Sequence, residues 1–125
     1  MKILLDTHAL LWWLADDVTL SSTARKAIEN SSNLVFVSAA STWEIGIKKA
    51  LGKLEAPENL LAMIEENSFE PLPITLAHGE YVSRLSPHHS DPFDRVLIAQ
   101  AILEGLTIVT RDSKFLPYGV TLLEA

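Results

Sequence analysis

The chain has 125 residues, 48% of them apolar, and a formal net charge of −6. That length carries one domain with a sizeable core and is too short for two, so a single domain over residues 1–125 is expected. The absence of cysteine excludes disulfides and thiolate metal sites, and the acid excess counts against a protein that grips nucleic acid by backbone contacts alone.

Only three apolar residues lie between Lys2 and Asp6, too few for a signal-peptide core. No stretch approaches the roughly 18 apolar residues of a membrane span. A cytoplasmic chain without a membrane segment is therefore expected.

Short apolar runs alternate with helical patterns. Ile3–Leu5 reads as a buried strand. Thr7–Leu14, with Trp12 and Trp13, reads as an unusually apolar helix. Ser21 or Ser22 caps a helix to about Asn30. Leu34–Val37 is a second strand. Ser41 and Glu44 have capping-box spacing at the start of a helix to about Leu51. Pro57 can begin another, to about Asn67. Phe69–Ile74 is a proline-interrupted strand suited to a sheet edge. Thr75 caps a helix through Leu85. Asp91-Pro92 opens a helix to Glu104, and Gly105 ends it. Leu106–Thr110 and Val120–Leu123 complete five strands. Strands alternating with helices imply a parallel sheet covered on both faces. In such sheets ligands bind beyond the carboxyl ends of the strands.

Several acids stand where an ordinary surface charge does not belong. Asp6 ends the first strand, at the ligand edge, although an N-cap would explain it as well. Glu44 has Ile47 and Leu51 on its own helical face, which turns it partly inward. A capping box with Ser41 or an i,i+4 pair with Lys48 would also account for it. Asp94 has Ile98 and Ala101 on its face, and burying an acid there is costly unless it is paired or binds a metal. Asp91 reads as the plain cap of that helix. Asp112 follows the fourth strand at the same edge as Asp6, with the Thr110 hydroxyl nearby, although a turn or cap aspartate would explain it as well.

Taken together, two acids fall at strand ends and two on helix faces that can turn toward them. Converging carboxylates repel one another and persist only if protonated or shared with cations. Oxygen donors select hard ions, Mg²⁺ or Mn²⁺, and a metal held in this way suits phosphodiester hydrolysis. The acid excess then argues less strongly against nucleic acid, because each divalent cation offsets two carboxylates. The four histidines add little: His88-His89 reads as a loop pair without metal-ligand spacing to His8 or His78. There is no phosphate-binding glycine loop and no serine nucleophile elbow.

"LLDTHALL" at Leu4–Leu11, "SAASTWEI" at Ser38–Ile45, "DPFDRVLIAQA" at Asp91–Ala101 and "VTRD" at Val109–Asp112 resemble the PIN domain, and more narrowly the VapC-type toxins of bacterial toxin–antitoxin pairs. The resemblance implies a three-layer α/β/α sandwich with a five-stranded parallel sheet. It also implies an endoribonuclease that depends on Mg²⁺ or Mn²⁺. Asp6, Glu44, Asp94 and Asp112 match the family's acids, and Thr110 its supporting hydroxyl. Asp91 belongs to the "DPFDR" variant and is assigned a supporting place. Arg95, Arg111 and Lys48 are candidate RNA contacts. The resemblance further implies a VapB-like antitoxin, met by surface near Trp12 and Trp13, and a homodimer.

Two other classes remain in view. A PIN-like module could bind RNA or protein without cutting. An aspartyl phosphoacceptor also carries an acid after its first strand. However, the phosphatase version needs a second acid where His8 stands, and the receiver version needs an acid pair and a lysine that "LLDTH" and "VTRD" lack.

Overall fold

A computed structural model describes all residues, Met1–Ala125. Strand β1 (Lys2–Leu5) alternates its side chains between the two faces of a sheet: Ile3 and Leu5 enter one apolar core and Leu4 the other. Because both faces are buried, the strand has no polar position until it ends at Asp6. The other strands are β2 (Leu34–Ser38), β3 (Glu70–Leu72), β4 (Thr107–Thr110) and β5 (Leu122–Glu124). All pair in parallel, in the spatial order β3-β2-β1-β4-β5. The chain builds outward from β1 on one side and then crosses to the other, so the switch point lies between β1 and β4. Ligands of open α/β sheets bind at such a crevice.

Helices α1 (Thr7–Leu14), α2 (Ser22–Glu29) and α4 (Leu60–Glu66) supply Ala9, Leu10, Ala24, Ile28 and Ile64 to the first core, against Ile3, Leu5, Val35, Val37 and Val109. Helix α6 (Pro92–Glu104) supplies Leu97, Ile98 and Ala101 to the second, against Leu4 and Ile108. Helix α5 (Leu76–Val82) packs on α6. Helix α3 (Ala39–Ala50) touches both α1 and α6 and contributes Ile45 to one core and Ala40 to the other. The sheet is thus covered on both faces, the expected α/β architecture. No helix is long and apolar enough to cross a membrane.

Several boundaries differ from the sequence reading. The cap of helix α3 lies three residues before Ser41, because Ser38 Oγ accepts from Ala40 N–H (3.0 Å) and caps the helix as β2 ends. Ser41 and Glu44 therefore lie inside the helix, and no capping box forms between them. Helix α4 starts at Leu60 rather than Pro57, and α5 stops at Val82 rather than Leu85. Strand β3 shrinks to Glu70–Leu72, at the sheet edge as its proline suggests. Strand β5 starts at Leu122 rather than Val120, three residues after Gly119 turns the chain at φ 70°.

Candidate functional site

Strand β1 delivers Asp6 to the crevice. Its own N–H donates to Val109 O (3.1 Å), the last step of pairing with β4. Asp6 Oδ1 accepts from Ala9 N–H (2.8 Å) and caps α1. Asp6 is therefore both a cap and a buried acid at the sheet edge. Burial pushes its carboxyl above the usual range, against the pull of the Thr110 hydroxyl and the Ala9 N–H.

The inner face of α3 brings Glu44, which is buried. Both its oxygens are engaged: Oε1 accepts from Thr7 Oγ1 (2.6 Å) and Oε2 pairs with Lys48 Nζ (2.5 Å). The i,i+4 pair is real, and it lies at the rim of the crevice. The bond to Glu44 raises the Lys48 ammonium above its ordinary value, with help from Asp91 and Asp94.

Helix α6 carries the third acid. Asp91 caps it, Oδ1 accepting from Phe93 N–H (2.9 Å) and Asp94 N–H (3.2 Å). Asp94 follows one turn in. Burial, then the charges of Asp91, Asp6, Glu44 and Asp112, push its carboxyl up to about 8. After β4, Asp112 N–H donates to Thr110 Oγ1 (3.1 Å), and Asp112 Oδ1 accepts from Lys114 N–H (2.9 Å), opening a short 3₁₀ segment.

All four acids line one cleft of about 520 Å³, shared with His8, Lys48, His89, Asp91 and Lys114, in which Pro92 is the one apolar side chain. His89 was missed by sequence spacing. Its ring is 4% exposed, and Nε2 stands 2.9 Å from Asp94 Oδ2 and 3.2 Å from Asp112 Oδ2, with no well-directed hydrogen bond to either. It reaches the acids through the fold of the loop before α6, and no sequence interval encodes that. Lys114 was missed as well; its signal was its place two residues after Asp112.

Arg95 and Arg111 do not line the cleft. The Arg95 guanidinium donates to the carbonyls of Val82, Leu85, Ser86 and His89 and to Tyr118 Oη. Arg111 donates to the Thr19 and Ala125 carbonyls and lies over the Trp12 ring, 4.9 Å from its centroid. Both expected phosphate contacts are thus tied into the fold, which leaves Lys48 as the one of the three at the cleft. Trp13 is also tied down, its Nε1–H donating to Asn67 Oδ1 (2.9 Å) and its ring against Phe69. Trp12 instead lines a groove with Leu11, Leu54, Ala56 and Pro57.

The donor set fits a hard divalent cation. Carboxylates from four elements converge, and burial together with its neighbours' charges pushes the Asp94 carboxyl up to about 8. That is an arrangement which a shared cation relieves. Asp91 tests the distinction between cap and ligand. With Asp91→Asn the melting temperature should stay put, because Asn caps as well as Asp. Mn²⁺ affinity should drop by about tenfold, as it often does when supporting residues around metals are lost. Full retention of that affinity in calorimetry would make Asp91 a cap alone.

Comparison with known proteins bears on the fold and the family. Solved structures of similar fold include the DNA-bound VapBC complex of Salmonella typhimurium (TM-score 0.73, 20% identity, covering 98% of this chain and 97% of that one). Another is VapBC2 of Rickettsia felis bound to a promoter DNA fragment (TM-score 0.70, 16% identity, 98% of each chain). At these identities the likeness concerns the fold. In sequence, the chain is 31% identical over 119 residues to ribonuclease VapC22 of Mycobacterium tuberculosis, covering 90% of this chain and 88% of that protein. The PIN domain family model matches residues 3–119, a span that contains all four acids. With nearly its whole length inside that match, this chain belongs to the PIN domain family.

Proposed function

We propose that the protein is a metal-dependent endoribonuclease, the toxin of a toxin–antitoxin pair, cutting RNA in the cleft between β1 and β4. The observation that carries this reading is the convergence of Asp6, Glu44, Asp94 and Asp112 on one cleft lined mainly by polar and charged side chains. The 31% identity to a ribonuclease supports it. Asp6 and Asp94 are the residues to hold Mg²⁺ or Mn²⁺. Asp112 completes the shell through the oxygen that faces Asp94. Glu44, with both oxygens engaged, acts from outside, holding Lys48 at the rim to receive a phosphate. A bound divalent cation supplies an activated water and offsets the charge that builds on the phosphoryl group. Incubating the partner-free protein with total RNA, with Mg²⁺ or with EDTA, tests the reading. Cut ends that map to defined positions and vanish with EDTA are the expected result. Intact RNA that nonetheless binds would favour a silent binding module.

A VapB-like antitoxin is the proposed partner, supported by neighbours solved as VapBC complexes. His8 lines both the acidic cleft and the Trp12 groove, so a peptide lying along the groove can reach the acids. A basic residue there would form charge-assisted bonds to the carboxylates. On this basis Trp12→Ala weakens co-purification with the antitoxin while folding normally. Trp13→Ala lowers the melting temperature instead, because its ring and N–H are both used internally. Equal affinity in Trp12→Ala would remove the groove from the interface. Trp43, Ile47 and Leu51 form an exposed apolar stripe at i, i+4 and i+8 around the end of α3, which supports a homodimer. A cytoplasmic location goes with this reading.

A further inference from the structure

We infer that His89 is a ligand in the metal site, giving it a nitrogen donor beside Asp94 and Asp112 and selecting Mn²⁺ over Mg²⁺. The inference rests on the metal-dependent reading above and adds a residue that the acids alone do not suggest.

The ring nitrogen comes first. His89 is 4% exposed, and its Nε2 has no hydrogen-bond partner although two carboxylates surround it. A buried polar atom left in this way is uncommon in a native fold and asks for an explanation. Ligand atoms from His89, Asp94 and Asp112 lie within 4.8 Å of one another. The two spacings from Nε2, 2.9 Å and 3.2 Å, match the roughly 3 Å between adjacent ligands of an octahedral ion with bonds near 2.1 Å. Asp6 and Glu44 border the same cleft but stand outside this triad.

The ring is also held in place. The His89 N–H donates to Tyr118 Oη (2.8 Å), its carbonyl accepts from Arg95 Nη1 (3.0 Å), and Phe115 meets the ring edge-on at 5.5 Å. This is a built seat, of the kind that metal ligands require. Ligation through Nε2 places the ring proton on Nδ1. The contact given up is the approach of Asp91 N–H to Nδ1, at 3.3 Å a long one. Imidazole suits first-row transition ions, whereas Mg²⁺ keeps to oxygen. Adding one nitrogen to the carboxylates of Asp6, Asp94 and Asp112 therefore favours Mn²⁺ over Mg²⁺.

Two measurements test this without relying on activity. Calorimetry with Mn²⁺ and Mg²⁺ alone should give His89→Gln an Mn²⁺ affinity at least about tenfold below wild type, with Mg²⁺ affinity little changed. Pulsed paramagnetic resonance of bound Mn²⁺ should show coupling to an imidazole nitrogen in wild type and in His8→Gln, and none in His89→Gln. Should His89→Gln fail to fold, the wild-type and His8→Gln spectra still decide the matter. Mn²⁺ uptake without nitrogen coupling overturns the inference and leaves the metal site standing. So does coupling lost with His8, or an equal loss of Mn²⁺ and Mg²⁺ affinity in His89→Gln. No Mn²⁺ uptake by the wild-type chain overturns the metal-dependent reading itself.

Discussion

Asp94→Asn should cut RNA cleavage by at least about 100-fold, since it removes a carboxylate assigned to hold the cation, and yet it should make the metal-free protein more stable. The second half follows from the raised carboxyl. In the folded chain Asp94 titrates at about 8, against an ordinary value of 3.8, through burial and the charges of Asp91, Asp6, Glu44 and Asp112. Between those two values the folded state keeps a proton that the unfolded state has released. Folding stability contributed by this group therefore falls as pH rises through that window. Below about pH 4 both states are protonated and the penalty is absent; above about pH 8 it is fully present, on the order of a few kcal/mol. Asparagine neither titrates nor repels. The variant's advantage should accordingly be near zero at pH 4 and grow toward pH 8. Thermal melts in EDTA across that range check the slope. Added Mn²⁺ should then raise the wild-type melting temperature by mass action and leave the variant nearly unmoved. Full cleavage by Asp94→Asn would remove the residue from the site, and a flat wild-type pH profile would remove the repulsion argument.

The fold was legible where local chemistry and burial agree. Helix α1 runs over Thr7–Leu14 as read, because Asp6 caps it and the apolar run continues it. Helix α6 opens at Asp91-Pro92 and ends at Gly105, whose φ of 68° only glycine adopts easily. The start of α3 was misread because two serines compete for one cap. Ser38 takes it, being the residue at which β2 ends, and sequence spacing alone cannot say where a strand stops.

The acids were legible for a related reason. A carboxylate on an apolar face contradicts its surroundings, and the contradiction is visible in one dimension. Their partners were not. His89 looks like any loop histidine until the segment before α6 folds back to set it between Asp94 and Asp112. Arg95, one residue after an acid of the site, looks like a phosphate contact. Its side chain leaves the same helix in another direction and is spent on carbonyls.

Arg95 carries the last of these expectations. Arg95→Met should destabilise the protein by about 3 kcal/mol, a fall in melting temperature on the order of 10 °C. The guanidinium is half-buried and joins the end of α5 to the loop before α6, through the carbonyls of Val82, Leu85, Ser86 and His89. Tyr118 closes the same network, its hydroxyl accepting from His89 N–H and donating to the Ser86 carbonyl (2.7 Å). Methionine fills comparable space but leaves the Leu85 and His89 carbonyls without a donor, while Val82 keeps the Leu85 N–H and Ser86 keeps the Tyr118 hydroxyl. Lysine keeps the charge, yet it cannot reproduce a planar fork, so Arg95→Lys should recover only part of the loss. The loop that seats His89 is thereby released, and cleavage should fall together with stability. A surface arginine that meets phosphate predicts the opposite pattern: weaker RNA binding with an unchanged melting temperature. Melting curves and RNA binding measured on the same Arg95→Met preparation separate the two, and unchanged stability would return Arg95 to the RNA surface.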